Sequence, residues 1–279
     1  MSDSEGEVGF DLDAIFPEPP RPPSPEPTIA TYTRRVPPPE WTEHAPPHDA
    51  HHWSEIEIRL VGSHPLWGHY LWNASRSFAS YLDAHPDLYR DRLVLELGAG
   101  GGLPGLVTAK NGAKSVFVTD YPDAVLIKNL EHNVERNISP QGCVRVQGYI
   151  WGQSLDPIFQ VQRIDSDDRG FELVIMSDLI FNHSQHDALL KTAELALKPA
   201  PSSSSPEPCL LVFYSHHRPH LAHRDMEFFS KATERGWLWD VQPMFPEDPG
   251  EEEVRATVHG WRLTRCTSTA TALGPDPVD

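Results

Sequence analysis

From Leu93 onward the sequence alternates apolar runs with amphipathic segments, and this alternation restricts the possible folds more than any other feature of the 279 residues. LVLEL, SVFVT, CVRVQ, FELVIMS and CLLVFY read as strands. LVLEL and CLLVF are continuous apolar runs, suited to strands buried on both faces. Between them, Leu103–Asn111, Pro122–Asn137, Gln185–Leu197 and Leu221–Arg235 place apolar residues at helical spacing. Such a succession predicts an α/β fold: a mostly parallel sheet with helices on both faces. WLWDVQ and VHGWRLTR follow with no helix between them, which predicts an antiparallel strand hairpin at one edge. Upstream, EIEIRLV (Glu55–Val61) has the period of a strand, and the stretch after it reads as a helix stopped by Pro86.

The flanks differ in composition. Residues 1–27 are rich in Pro, Asp and Glu and too poor in apolar groups to offset ordering entropy, so they read as a disordered tail. Within residues 28–52, TIATYTRR is an aromatic and basic island followed by a Pro- and His-rich linker. Tyr32 and Arg34 make it a candidate lid over an occupied site. Residues 53–265 hold the folded domain, and residues 266–279 form a small polar tail. Ser202–Ser205, flanked by prolines, reads as a flexible insertion.

A net charge of -17 disfavours binding to nucleic acid and favours a cationic partner. The acidic run Glu251–Glu253 could help attract a basic protein. Cys143, Cys209 and Cys266 form no CxxC pair and no even framework, which fits a reducing compartment. The start MSDSEGEVGF lacks the apolar stretch of a signal peptide, and no apolar run is long enough to span a bilayer. The expectation is a cytoplasmic protein. His44, His48, His51 and His52 sit in the Pro-rich linker without the spacing of a zinc site, so no metal is expected.

LVLELGAGGGLPGL places Gly98, Ala99 and Gly100 at the carboxyl end of the first strand of the alternating region. Ligands of open α/β sheets bind at such strand ends, and glycine lets bare backbone approach them. Gly100-x-Gly102-x-x-Gly105 satisfies the string of a dinucleotide site, a weak signal alone. Glu96 argues otherwise: a carboxylate there would repel a pyrophosphate and attract an ammonium group. S-adenosylmethionine carries an ammonium and no phosphate, so it fits better than NAD. Asp120, at the end of the next strand, is spaced to accept the hydroxyls of an adenosine ribose, a feature both cofactors share.

LVLELGAGGGLPGL, VTDYPDAVLIKNLEHNVERN, GYIWG, IMSDLIFNHSQH and FYSHHRP together resemble the seven-strand, Rossmann-like methyltransferases of the nicotinamide N-methyltransferase-like group. The likeness is nearest to the fungal branch acting on translation elongation factor 1-alpha, at its N-terminal glycine and adjacent lysine, and it covers most of the chain. It implies a seven-stranded sheet, S-adenosylmethionine as cofactor and a protein substrate. It further implies that Trp72, Gly98, Ala99, Gly100, Asp120, Trp151 and Ser177 contact the cofactor. A small-molecule amine methyltransferase and a noncatalytic adaptor with the same fold are the alternatives.

Methyl transfer from a sulfonium is a direct displacement that needs positioning and a neutral amine. At pH 7, deprotonation costs roughly 4.6 kcal/mol for a lysine and about 1–1.4 kcal/mol for a terminal amine. Asp178 and Phe181, just past the fourth strand of the alternating region, are the candidate catalytic residues. Asp178 would hold the incoming amine, and Phe181 would pack against it by cation–π attraction. His183 is a possible proton acceptor that suits a helix start better, and His216 and His217 read as a surface loop.

Overall fold

The computed structural model describes residues 25–34, 53–139, 142–162, 169–199, 206–242 and 257–265. The elements are β1 (Thr28–Thr33), β2 (Glu55–Leu60), α1 (Asn73–Ala84), β3 (Leu93–Leu97), α2 (Leu103–Lys110), β4 (Ser115–Asp120), α3 (Ala124–Asn137) and β5 (Val144–Gly148). They continue as α4 (Asp156–Gln162), β6 (Leu173–Ser177), α5 (His186–Ala196), β7 (Cys209–Ser215), α6 (Ala222–Glu234), β8 (Trp237–Val241) and β9 (Val258–Arg265). His44, His48, His51, His52, Ser202–Ser205, Glu251–Glu253, Cys266 and both terminal tails lie outside the described residues.

Seven strands form one sheet in the order β5-β4-β3-β6-β7-β9-β8. β5 through β7 run parallel, and β9 is antiparallel to both β7 and β8. The C-terminal hairpin follows the sequence reading with one addition. The chain first lays β8 at the edge, then returns inside it as β9. The short helix α4 was not legible in the sequence.

Strand parity sorts the core into two layers, because successive side chains point to opposite faces. Leu95, Leu97, Phe117, Val174, Met176 and Val212 face α5 and α6. Val94, Val116, Val118, Ile175, Leu211 and Phe213 face α1 and α2. Glu96 has the parity of Val94, so it points toward α2 among fully buried apolar residues.

β1 and β2 form a separate antiparallel ribbon, pairing Thr28 with Leu60 and Thr33 with Glu55. The ribbon contains Tyr32, and Arg34 follows β1 directly. Tyr32 is buried, with its hydroxyl 3.0 Å from Ser80 Oγ. Arg34 donates from Nε and Nη2 to Asp83 of α1, at 2.8 and 2.6 Å. Its guanidinium lies 4.6 Å from the centre of the Trp53 ring. Asn111, just past α2, donates to the same Asp83 carboxylate at 2.8 Å. These residues fasten the ribbon to the outside of α1 and α2.

Candidate active site

Strand order reverses between β3 and β6, and a cavity of about 600 Å³ opens at the carboxyl ends of the neighbouring strands. That volume suits a small molecule or cofactor. One wall comes from β3, β4 and β5, the other from β6 and the turn after β7.

The first wall presents Gly98, Ala99, Gly100, Asp120 and Trp151. Gly98 has φ +55 and no room for a side chain. A Cβ there would stand 2.6 Å from Leu179 Cδ2 and 3.0 Å from Trp151 Cζ2. Asp120 is fixed by backbone: Oδ2 accepts from Gly100 N and Oδ1 from Tyr121 N, both at 2.7 Å. Burial raises its carboxyl above the ordinary range, while the two N–H donors pull it down. Each oxygen keeps a second lone pair for a ligand hydroxyl.

Glu96 is fully buried and does not line the cavity. Its Oε2 accepts from Gly105 N, in the first turn of α2, at 2.8 Å. Gly105 is required there, since a Cβ would fall 2.5 Å from that oxygen. Burial pushes the Glu96 carboxyl up to about 8, with the Gly105 bond opposing. Glu96 therefore fastens helix to sheet through Oε2, while its Oε1 is buried without a hydrogen-bond partner among the described residues. Strand parity carried this signal: a residue two after Val94 shares its face.

The second wall presents Trp72, Ser177, Asp178 and Phe181. Trp72 is the residue immediately before α1. Ser177 ends β6, and its buried Oγ has no hydrogen-bond partner. Asp178 takes φ +59, a left-handed conformation that aspartate tolerates better than most residues. Its N–H donates to Phe213 O at 2.7 Å, and its Oδ1 accepts from Ser215 N at 3.1 Å. His217 Nε2 stands 2.9 Å from Asp178 Oδ2. The His217 ring meets Trp72 edge-on at 4.7 Å and Phe181 at 5.3 Å. His217 thus contacts Asp178, Trp72 and Phe181 together.

His217 and Arg218 were missed as site residues in the sequence; a run of two histidines and an arginine after a strand does not by itself give direction. His183 lies elsewhere. Its Nε2 donates to buried Asp225 Oδ1 at 2.7 Å, and His216 Nδ1 donates to Asp225 Oδ2 at 2.7 Å. That bridge ties the loop after β6 to the end of β7. Among the described residues no group of three or more His, Cys, Asp or Glu could hold a metal ion. No described helix is long and apolar enough to cross a membrane.

Residues 55–235 match the lysine methyltransferase family. The chain belongs to that family. The methyltransferase is 44% identical over 283 residues to a protein N-terminal and lysine N-methyltransferase EFM7 from Cryptococcus neoformans var. neoformans serotype D, covering 95% of this chain and 91% of the relative. It is 42% identical to the efm7 protein of Schizosaccharomyces pombe, covering 95% and 98%. The Neurospora crassa efm7 protein is 35% identical, covering 91% and 89%. The enzyme is an S-adenosylmethionine-dependent protein N-methyltransferase, which removes NAD as a competing cofactor. The cavity fits the methyl donor without Glu96. Gly98 leaves bare backbone, Asp120 offers ribose acceptors, Trp151 offers a flat ring and Ser177 an unpaired hydroxyl.

Proposed function

We propose that the enzyme methylates the N-terminal glycine amine and the adjacent lysine of translation elongation factor 1-alpha, in the cytoplasm. We place it within the nicotinamide N-methyltransferase-like group. The observation that carries the reading is the second wall: Asp178, held by β7 backbone and His217, faces the cavity beside Phe181 and Trp72. A carboxylate between aromatic rings suits a cationic amine. The names of the relatives support the choice of N-terminal and lysine nitrogens.

Trp72, Gly98, Ala99, Gly100, Asp120, Trp151 and Ser177 hold the cofactor. S-adenosylmethionine supplies an electrophilic methyl group on a sulfonium. Asp120 would accept the ribose hydroxyls, and Trp151 would stack on the adenine, worth roughly 1–3 kcal/mol by analogy with base stacking. Asp178 draws in the ammonium and orients its nitrogen. The amine must lose its proton before transfer, and Asp178, 2.9 Å from His217 Nε2, is the carboxylate facing the cavity that can accept it. Phe181 and Trp72 keep water from the nitrogen and favour its cationic product.

The cavity mouth is apolar: Leu66, Trp67, Tyr70, Tyr121 and Ile150 are exposed around it. Such a rim suits a polypeptide end laid across it. The test is one labelling reaction with purified elongation factor 1-alpha and isotopically labelled cofactor, read by peptide mass spectrometry. Label on the N-terminal glycine and neighbouring lysine is the expected result. Label confined to small amines in an added lysate fraction overturns the reading in favour of a small-molecule enzyme, and absence of label overturns it in favour of an adaptor.

A further inference from the structure

Arg218 is the only lysine or arginine on the cavity lining among the described residues. It is exposed, and no described acidic side chain pairs with it. Its Nη2 donates to the carbonyl of Phe181 at 3.4 Å, which brings the guanidinium beside the loop that carries Asp178 and Phe181. Its backbone is fixed by the turn after β7, where Leu221 N donates to Arg218 O at 2.8 Å.

This placement runs against the substrate's charge. An amine reaches the site as an ammonium ion, and a guanidinium close by repels it. In a chain of net charge -17 the general field needs no such cation. The arrangement makes sense where the substrate also carries an anion that the guanidinium can receive. A carboxylate is the matching group, because the planar fork of arginine accepts it with two parallel hydrogen bonds. Asn182 and Gln185 also line the cavity and add amide donors.

We propose that Arg218 is a specificity-determining residue that binds the side-chain carboxylate of an Asp or Glu close to the substrate's N-terminus. The inference rests on the N-terminal methylation reading and deepens it. An extended chain advances roughly 3.3–3.6 Å per residue, so the acidic residue falls within the first few positions after the amine. The substrate end is thereby read as an amine followed at short range by an acid. An amine in a purely basic segment lacks the second feature and is rejected.

The test uses the full-length enzyme and synthetic peptides with a free N-terminal glycine and an adjacent lysine. The peptides carry a single Glu at each of positions three to five in turn, or Gln in its place. Wild-type enzyme should prefer one Glu peptide over its Gln partner by about tenfold in kcat/KM, and Arg218→Ala should erase that preference. Arg218→Glu should invert it toward a peptide with Lys at that position. Calorimetric affinity for S-adenosylmethionine should be the same in Arg218→Ala and wild type. Equal use of Glu and Gln peptides by wild type overturns the proposal while leaving N-terminal methylation standing. Weakened cofactor affinity in Arg218→Ala also overturns it, since the carboxylate received is then the cofactor's own. Methylation of no peptide sinks the N-terminal reading, and this inference with it.

Discussion

The β3–β4 wall meets the cavity largely with backbone, and the β6–β7 wall meets it with side chains. On the first, Gly98 has no space for a Cβ, and Asp120 is immobilised by two main-chain N–H groups. On the second, Asp178, Phe181 and Trp72 surround the His217 ring, and their geometry depends on contacts between residues far apart in sequence. On the proposed function, the first wall holds the cofactor with Trp72 and Ser177 of the second, and Asp178 and Phe181 meet the nitrogen to be methylated. Changes at Gly98 or Asp120 should therefore appear in cofactor affinity, and changes at Asp178 or Phe181 in turnover.

The largest expected effect lies outside both walls and sets their boundary. Arg34 and Asp83 form a buried ion pair, their side chains 6% and 0% exposed. Arg34→Ala leaves the carboxylate buried without its cation, and such losses cost about 3–5 kcal/mol. Chemical denaturation should register that loss, while cofactor affinity in the folded fraction stays within about threefold of wild type, a span worth under 1 kcal/mol. A large change in affinity with full stability would restore the ribbon to the role of a lid.

Within the cavity, Asp178→Asn should separate the two walls most sharply. The amide still accepts from Ser215 N, but it loses the charge that draws in an ammonium. Turnover should fall by roughly 10²–10³, within the range of general acid–base contributions. Calorimetry should find the cofactor bound as in wild type. If binding fails together with turnover, the two walls do not divide the work.

Asp120→Ala attacks the opposite wall. Hydrogen bonds to a charged group are worth about 1.5–3 kcal/mol, so cofactor affinity should drop roughly 10- to 100-fold. Saturating cofactor should recover most of the turnover. An unchanged dissociation constant would remove Asp120 from the site.

The same contrast explains what could be read from the sequence. Strand–helix alternation gave the parallel sheet, since the two periodicities are local. The glycine loop and Asp120 were legible because one strand and the turn after it position them. The β1–β2 ribbon was not, because Tyr32 and Arg34 find their partners 48 and 49 residues away, on α1. His217 escaped for the same reason: its contacts come from the start of α1 and the loop after β6. Glu96 is the instructive case. The residue type was read for its charge, while parity already placed it on the α2 face beside Val116 and Val118. A carboxyl raised to about 8 is largely neutral at pH 7 and offers little attraction to an ammonium group.

Glu96→Gln should accordingly have the smallest effect on the site and a distinctive effect on stability. The amide oxygen can accept from Gly105 N as Oε2 does now. Cofactor affinity should stay within about threefold of wild type, a difference under 1 kcal/mol. The folded carboxyl titrates at about 8, against an ordinary value of 4.5. Between these values the folded state retains a proton that the unfolded state gives up, so wild-type stability falls as pH rises through that window. Gln cannot ionise, and thermal unfolding of the variant between about pH 4 and pH 8.5, a range chosen to bracket that window, should lose this part of the slope. Stability that falls with pH as steeply in the variant as in wild type would show that the proton belongs elsewhere. A tenfold loss of cofactor affinity would instead put the Glu96 carboxylate back in contact with the ligand, and the separation of a structural from a binding carboxylate would fail at its closest pair.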